Sequence, residues 1–511
     1  MIGRQRQNAS PPSIFEHIRA HIPEEGPGLS PGGETLPDEG DGDEKFMWAP
    51  GAHDGVLTHH WGGSGDPEEV RRLSTALTDA VSASKREARA AYEALYETAR
   101  GITIVPVVDG VLTGVRSSGV DPEDCYRLAH RLATEGGHRE PVKLGIALLG
   151  LFDAGHHRDE LMILGRHDEF TLFAAVALGN RDDDGAEAEL WELARQVRGW
   201  GRVHLVERLS DTADPRIREW ILRDGFRNEV MDAYLAGIAA ETGGLADALS
   251  GDPDDELLYA AGDILTALSD DGGPVQGMPG YADGKRAASL FLDHMSARAA
   301  DLRHFLAVQD VRGYAEREWP ELAARCTEIM DRPLWADLAR RGLASEDPAE
   351  FRRAAHVCRT LGVPTLRAHL DRLRTRDPFD SADWFGAVGQ AGPDSIDEVL
   401  ALAVELLPLD EIATGPADEM GVGERFAPHR CLDTLLQDLG GRPGRGVPLV
   451  IAGLASPVVR NRNMAVRALD GWGRDAWPEG AGDAVAAALA REPDESVRGR
   501  LQALLDGRPI D

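Results

Sequence analysis

Apolar residues recur every three or four positions through most of this chain, a spacing that is typical of amphipathic helices. Leu73, Leu77 and Val81 follow this pattern after Asp66-Pro67, a pair that favours the start of a helix. Similar patterns follow one another from Asp121 onward, separated by short stretches of Gly, Asn and Asp. Short connections place consecutive helices side by side and antiparallel. The pattern therefore predicts an all-α fold of antiparallel helix pairs.

The tail of the chain repeats one short pattern, in which a Pro or Asp turn precedes a Val-Arg pair and a helix rich in Ala and Leu. One copy begins at 456–460 and the other at 494–498, so the two Val-Arg pairs lie 38 residues apart. Related patterns begin at Asp214 and Asp347. This stretch resembles HEAT-type repeats. The resemblance implies an α-solenoid, because one helix pair alone cannot bury its apolar face.

The segment from Ile102 to Val115 is strongly β-branched and departs from the helical pattern. Its centre, Asp109-Gly110, is favoured in two-residue hairpin turns, so a small β-hairpin is one prediction. Pro106 interrupts the first half, and an extended connection is the alternative. Before this segment, the helix that begins near Pro67 is predicted to continue as far as Arg100.

Stretches rich in Gly, Pro and Asp divide the chain into four predicted parts. Residues 1–66 are an irregular N-terminal arm and cap, and residues 67–268 are a first lobe of helical repeats. The segment 269–284 is a loop, and residues 285–511 are a second lobe of helical repeats. Another long irregular segment, 408–428, is a candidate binding loop, because loops of this length in compact domains are often functional.

Charge and cysteine usage narrow the classes of function. The chain has 87 acidic and 55 basic residues, and its net charge of −32 opposes approach to nucleic acid and to anionic membranes. No stretch approaches the ~20 apolar residues of a membrane helix, and the N-terminus lacks the apolar core of a signal peptide. The four cysteines are scattered, as is typical of a reducing compartment. We therefore expect a cytoplasmic protein without nucleic-acid or membrane partners.

A cluster of aromatic and histidine residues lies between Trp48 and Trp61. Its other notable members are His53, Asp54, His59 and His60. One interpretation is a cap over the first repeat, because the ends of a solenoid must be covered. The other is a metal site formed by the three histidines and the aspartate, since imidazole and carboxylate groups suit divalent transition metals. The two tryptophans are the candidate residues for binding a partner.

A second set of histidine and acidic residues lies at 156–160 and 167–169. Both groups fall at predicted turns between helices, where Asp caps helices, and they are placed to meet across a helix hairpin. Members of the deoxyhypusine hydroxylase family, which are built from HEAT repeats, bind two irons through repeated His-Glu pairs. This chain has no His-Glu dipeptide, and these two groups are its nearest elements. They are the alternative candidates for a metal.

The segments 33–37 and 48–60 resemble bacterial proteins that carry the label limonene hydroxylase. The resemblance implies a metal-dependent oxygenase or hydroxylase acting on a monoterpene, on a HEAT-like scaffold. The sequence has no flavin or haem motif, no Walker A loop and no H-E-x-x-H pattern, so the cofactor is unknown. We therefore predict a non-catalytic scaffold that binds a protein or peptide, and keep the oxygenase as the alternative function.

Overall fold

Helices form nearly all of the regular structure of this chain. The computed structural model describes residues 11–39, 48–63, 65–180, 185–270, 272–273, 275 and 277–510. Across those residues the only β feature is a parallel bridge between Glu419 and Val458. No helix in the described ranges is long and apolar enough to cross a membrane. The fold is therefore all-α, as predicted, and its contacts divide the chain into two compact units, residues 1–331 and 332–511.

The first unit contains eighteen α-helices within the described ranges. They are α1 Ile14–Ala20, α2 Ala52–Val56, α3 Pro67–Ser82, α4 Ala88–Arg100, α5 Val108–Ser118, α6 Pro122–Glu135, α7 Arg139–Leu149, α8 Arg158–Leu164, α9 Asp168–Gly179, α10 Gly185–Ala194, α11 Trp200–Arg208, α12 Pro215–Trp220, α13 Ala233–Glu241, α14 Leu245–Leu249, α15 Asp255–Ser269, α16 Gly284–Arg298, α17 Leu302–Glu318 and α18 Pro320–Met330. A turn of π-helix, Ile221–Gly225, extends α12.

The second unit contains eleven α-helices within its described residues. They are α19 Leu334–Gly342, α20 Pro348–Thr360, α21 Leu366–Thr375, α22 Ser381–Gln390, α23 Ile396–Leu406, α24 Leu409–Ile412, α25 Ala427–Leu439, α26 Val447–Leu454, α27 Val459–Trp472, α28 Ala481–Leu489 and α29 Glu495–Asp506. The two copies of the tail pattern begin α27 and α29, as the sequence predicted.

Local sequence explains where many of these helices begin. In α3, α6, α12 and α20, an Asp side chain accepts a hydrogen bond from a backbone N–H of the first turn, and a Pro occupies the first helical position. The capping residues are Asp66, Asp121, Asp214 and Asp347.

Consecutive helices pack as pairs, which is the HEAT-like arrangement that the tail pattern predicted. Examples are α6 with α7, α26 with α27, and α28 with α29. In the first unit, one helix of each pair also packs on its counterpart in the next pair, so that α7, α9, α11 and α13 lie in a series. We call this series the α7–α13 row. The repeats therefore bury their apolar faces against one another, as a solenoid requires.

The β-hairpin predicted within 102–115 is wrong, and so is the extended alternative for its second half, because α5 begins at Val108. Val107, Val111 and Val115 are buried at intervals of four residues, which is a helical spacing that outweighs the β-branched composition. The single helix predicted from Pro67 to Arg100 is also wrong, since α3 and α4 are separated by a turn at 83–87.

The predicted arm, residues 1–66, contains two short helices, α1 and α2, and its residues 1–10, 40–47 and 64 lie outside the described ranges. The segment 269–284 lies within the first unit, and its residues 271, 274 and 276 are also outside those ranges.

Candidate functional site

Residues 48–62, which we call the arm segment, lie across the α7–α13 row. The arm segment consists of α2 and a turn of π-helix, Leu57–Trp61, closed by a hydrogen bond from the Gly62 N–H to the Leu57 carbonyl. Single π turns occur often at functional sites. Successive positions of the arm segment meet successive helices: Gly51 reaches α9, Gly55 reaches α11 and His60 reaches α13.

Gly55 allows the arm segment to approach α11 closely. A Cβ atom at this position would overlap the ring of Trp200, so the close approach requires glycine. Trp200 is buried, and its ring centroid lies 5.0 Å from that of Tyr234 and 5.4 Å from that of His59. His60 Nε2 lies 2.6 Å from the Tyr234 hydroxyl. These aromatic contacts fix the second half of the arm segment.

A buried ammonium group fixes the first half. The Lys143 side chain, on α7, is 1 % exposed, and its Nζ lies 2.7 Å from Asp54 Oδ2 and 2.7 Å from Glu169 Oε1. Glu140 Oε1 lies 3.0 Å away from the same Nζ. The Gly51 N–H donates a hydrogen bond of 3.0 Å to Glu169 Oε2. The arm segment is therefore tied to α7 and α9 through one buried cluster of charges.

The electrostatics of this cluster explain its protonation. Burial lowers the pKa of Lys143, but Glu140, Glu169 and Asp54 outweigh burial and raise that pKa well above its ordinary value. Burial likewise opposes ionisation of Glu169, but Lys143 and Arg139 lower its pKa to about 2. For Asp54, burial prevails over the attraction of Lys143 and raises the pKa to about 6. Lys143 and Glu169 are therefore a charged pair at neutral pH.

Two imidazoles and a carboxylate meet where the π turn contacts α11. His59 Nε2 lies 2.8 Å from Glu207 Oε1, and His204 Nδ1 lies 3.9 Å from Glu207 Oε2. One ligand atom from each of these three side chains lies within 4.8 Å of the other two, and no other group of three His, Cys, Asp or Glu residues meets this criterion in the described part of the chain. His204 and Glu207 are three residues apart and so share one face of α11.

The three side chains differ in protonation. The hydrogen bond with Glu207 raises the pKa of His59, against the effect of burial. Burial lowers the pKa of His204 to about 3, and the neighbouring His59 adds to this effect. His204 is therefore neutral at physiological pH and offers a nitrogen lone pair. Imidazole nitrogens and a carboxylate oxygen are ligands that zinc and ferrous iron accept.

Trp48 and Trp61 form an exposed aromatic surface at the two ends of the arm segment. Their rings meet edge to face with centroids 6.5 Å apart, and the residues are 39 % and 62 % exposed. Val230 and Met231, which are also exposed, lie in the turn before α13. Buried Asn228 holds this turn by accepting hydrogen bonds from both of their backbone N–H groups.

The structure separates the four residues predicted to bind a metal. His59 lies with His204 and Glu207, whereas Asp54 is paired with Lys143. Of the other two predicted ligands, His60 contacts Tyr234, and His53 is partly exposed and remains beside Asp54, with its Nδ1 3.9 Å from Asp54 Oδ1.

The second predicted set, within 156–169, does not converge either. His156 is exposed, and His157 is fully buried with its ring beside Tyr126. His167 caps α9, since its Nδ1 accepts a hydrogen bond of 3.2 Å from the Glu169 N–H. Within the described residues, none of these three histidines belongs to a group of three potential ligands.

Several residues of the site were not identified from the sequence. They are Lys143, Trp200, His204, Glu207 and Tyr234. Only His204 and Glu207 could have been identified from a local sequence pattern. Their H-x-x-E spacing places both side chains on one face of a helix.

The second unit has a cleft beside the loop 408–428, the predicted candidate binding loop. Arg462 is fully buried, donates hydrogen bonds to both carboxylate oxygens of Glu492, and also donates one to the Ala417 carbonyl. The loop is thereby fixed against α27. Met420 and Arg467 line an adjoining cleft of about 900 Å³.

Comparison with known proteins identifies no family. No protein family and no curated protein matches the chain. The resemblance to proteins labelled limonene hydroxylase therefore finds no support, and neither does the oxygenase function that it implied.

Some solved helical structures are similar to the chain at low identity. Kap121p is 13 % identical with a TM-score of 0.31, and a mutant of Kap121p is 12 % identical with a TM-score of 0.33. In both, 86 % of this chain aligns with 45 % of the other, so the chain spans less than half the length of Kap121p. A circular tandem repeat protein is 17 % identical over 86 % of this chain and 94 % of its own, with a TM-score of 0.15.

Proposed function

We propose that this chain is a non-catalytic helical-repeat scaffold that binds a protein or peptide partner through Trp48 and Trp61. The observation that carries this proposal is that two large aromatic side chains are exposed side by side on a segment that the rest of the unit holds in place. Tryptophan is enriched among the residues that contribute most to the energy of protein interfaces.

The attachment of the arm segment to α7, α11 and α13 supports this role. Lys143 anchors its first half through Asp54, and Tyr234 and Trp200 anchor its second half. A surface that is already ordered loses little conformational entropy when a partner binds. Val230 and Met231, which lie one turn before Tyr234, are exposed as well.

The charge of the chain defines the partner that we expect. A net charge of −32 steers basic proteins toward the surface and repels nucleic acid and anionic membranes. The four cysteines are buried and unpaired, which favours the cytoplasm as the compartment of this encounter. The expected partner is therefore a cytoplasmic protein or peptide with basic residues around an apolar centre.

The test compares three forms of the full chain as bait in lysate from the native host: wild type, the Trp48→Ala/Trp61→Ala double variant, and Phe385→Ala. Phe385 is a matched control because it is 64 % exposed and lies in the second unit. We expect the tryptophan variant to lose, by tenfold or more, a protein that wild type and Phe385→Ala both retain, with tighter retention at low salt. The same bound proteins in all three samples would refute the proposal.

A further inference from the structure

We propose that His59, His204 and Glu207 bind one divalent transition-metal ion, which ties the arm segment to α11. This site is separate from the exposed tryptophan surface and does not depend on the proposed partner. It also differs from the metal site predicted from the sequence, because two of its three ligands come from α11.

The distances fit one ion after small side-chain movements. Around a tetrahedral zinc ion with bonds of about 2.1 Å, ligand atoms lie about 3.4 Å apart. The 2.8 Å from His59 Nε2 to Glu207 Oε1 and the 3.9 Å from His204 Nδ1 to Glu207 Oε2 lie on either side of that value. All three ligand atoms already fall within 4.8 Å of one another.

The hydrogen bonds of His59 suit a metal ligand. Its Nδ1 lies 3.0 Å from the Gly55 carbonyl oxygen, to which a protonated Nδ1 donates. In the metal-free protein Nε2 donates a hydrogen bond to Glu207 Oε1, 2.8 Å away, and a metal ion that binds there would take the place of that proton. Metal-binding histidines commonly donate their second ring nitrogen to a carbonyl in this way, which fixes both the tautomer and the orientation of the ring.

The burial of His204 is an independent observation that points to a ligand. The residue is 2 % exposed, and its Nε2 has no hydrogen-bond partner in the described part of the chain. Its Nδ1 reaches Glu207 only at 3.9 Å. The nitrogen that faces Glu207 is thus free of a close hydrogen bond and is the one that would coordinate the metal, whereas Nε2 would carry the proton. The positive charge of Arg208 opposes the binding of a cation here. Its guanidinium donates a hydrogen bond to the His204 carbonyl.

The ligand set selects the class of metal. Two imidazoles and one carboxylate suit zinc and ferrous iron, whereas magnesium and calcium prefer sites made of oxygen ligands alone. Three protein ligands leave at least one coordination position for water or another donor.

A metal at this point would join parts of the chain that are far apart in sequence. His59 lies on the arm segment and His204 on α11, so coordination closes a long loop. We therefore expect the metal to slow opening of the arm segment.

Zinc titration of the tag-free full chain, after removal of metal with EDTA, tests the proposal. Inductively coupled plasma mass spectrometry and isothermal titration calorimetry should both give one zinc ion per chain. His59→Gln, His204→Gln and Glu207→Gln should each weaken binding by tenfold or more, whereas His53→Gln should leave it unchanged. His53 is the matched control because it lies on the same arm segment, outside the three ligands. Absence of stoichiometric zinc, or an equal loss of binding in His53→Gln, would overturn the proposal.

A second measurement needs no variant and covers the case in which His204→Gln fails to fold. Hydrogen exchange of the wild-type chain is compared with and without zinc. We expect zinc to slow exchange at residues 52–62 and along α11 by tenfold or more, with no change in the second unit. Zinc that binds without slowing exchange at either segment would place the ion elsewhere and contradict the site.

Discussion

Lys143 holds the first half of the arm segment through a buried ion pair with Asp54. A buried ammonium is costly to desolvate, and it is tolerated only where carboxylates surround it closely. Asp54 and Glu169 both lie 2.7 Å from its Nζ, one on the arm segment and the other on α9. Removing the cation would leave two acidic groups facing each other in a buried space.

We predict that Lys143→Met destabilises the first unit by about 3–5 kcal/mol, because breaking a buried ion pair leaves an uncompensated charge. Urea unfolding followed by far-UV circular dichroism measures the change in midpoint. Lys285→Met is the control, since Lys285 forms an exposed ion pair with Glu321, and exposed pairs contribute little. Equal shifts for the two variants would show that the buried cluster has no special role.

A buried histidine makes the same unit sensitive to acid. His167 accepts the Glu169 N–H at Nδ1, and its Nε2 lies 3.2 Å from the Glu34 carbonyl, so the neutral ring with a proton on Nε2 satisfies both contacts. Burial lowers the pKa of His167 from 6.5 to about 4. The unfolded state therefore binds more protons between these values, and the stability that His167 contributes above pH 6.5 is lost as the pH falls toward 4.

For this histidine we predict a loss of about 2 kcal/mol in the free energy of unfolding between pH 7 and pH 5. His167→Asn should remove that loss, because asparagine also caps a helix but does not titrate in this range. Urea midpoints at the two pH values give the comparison. Buried carboxyl groups with raised pKa values, such as about 6 for Asp54, increase the free energy of unfolding as the pH falls. They are present in both the wild type and His167→Asn, so they do not affect the comparison. His156→Asn, at an exposed position, should keep the wild-type pH dependence; an unchanged pH dependence in His167→Asn would contradict the prediction.

At the scale of elements, the sequence predicted local features such as helix caps well. It failed where tertiary packing determines the secondary structure. Asp-Pro caps such as Asp347-Pro348 were predictable because the capping group and the helix are neighbours in sequence. The hairpin prediction failed because Asp109-Gly110 is a turn signal only when the flanking residues alternate between two faces. Here Val111 and Val115 are buried with a helical spacing instead.

The pairing of α6 and α7 gives a prediction for one glycine. A Cβ atom on Gly145 would lie 2.5 Å from the backbone nitrogen of Ala133, so Gly145→Ala should force the helices apart and cost about 1–3 kcal/mol. Gly313→Ala, in the exposed middle of α17 with no atom near the new methyl group, should instead stabilise by up to about 1 kcal/mol. Thermal unfolding midpoints should therefore move in opposite directions. A shift of the same sign in both variants would mean that helix propensity, and not the contact, governs Gly145.

At the scale of the whole molecule, the helical-repeat fold was predictable because turn residues recur along the sequence and apolar residues between them have a helical spacing. The candidate site was predictable only in part. The sequence drew attention to His59 and Asp54, but their partners, Glu207 and Lys143, come from distant helices. No local pattern specifies such a pairing, since the path of the arm segment over the α7–α13 row is set by tertiary contacts.

The division into two units leads to a last prediction, that residues 332–511 fold when expressed alone. Buried residues from Leu370 to Leu504 form a continuous core that includes Trp384, Leu432 and Leu469. Contacts between neighbouring repeats need no distant segment of chain. We expect helical far-UV circular dichroism, a near-UV signal from buried tryptophan and a cooperative thermal transition. Trp384→Ala should lower its midpoint strongly, at a cost of about 3–5 kcal/mol, whereas Phe385→Ala, at the exposed neighbouring position, should change it little. Helical signal without a cooperative transition would show that this unit needs the rest of the chain to reach fixed packing.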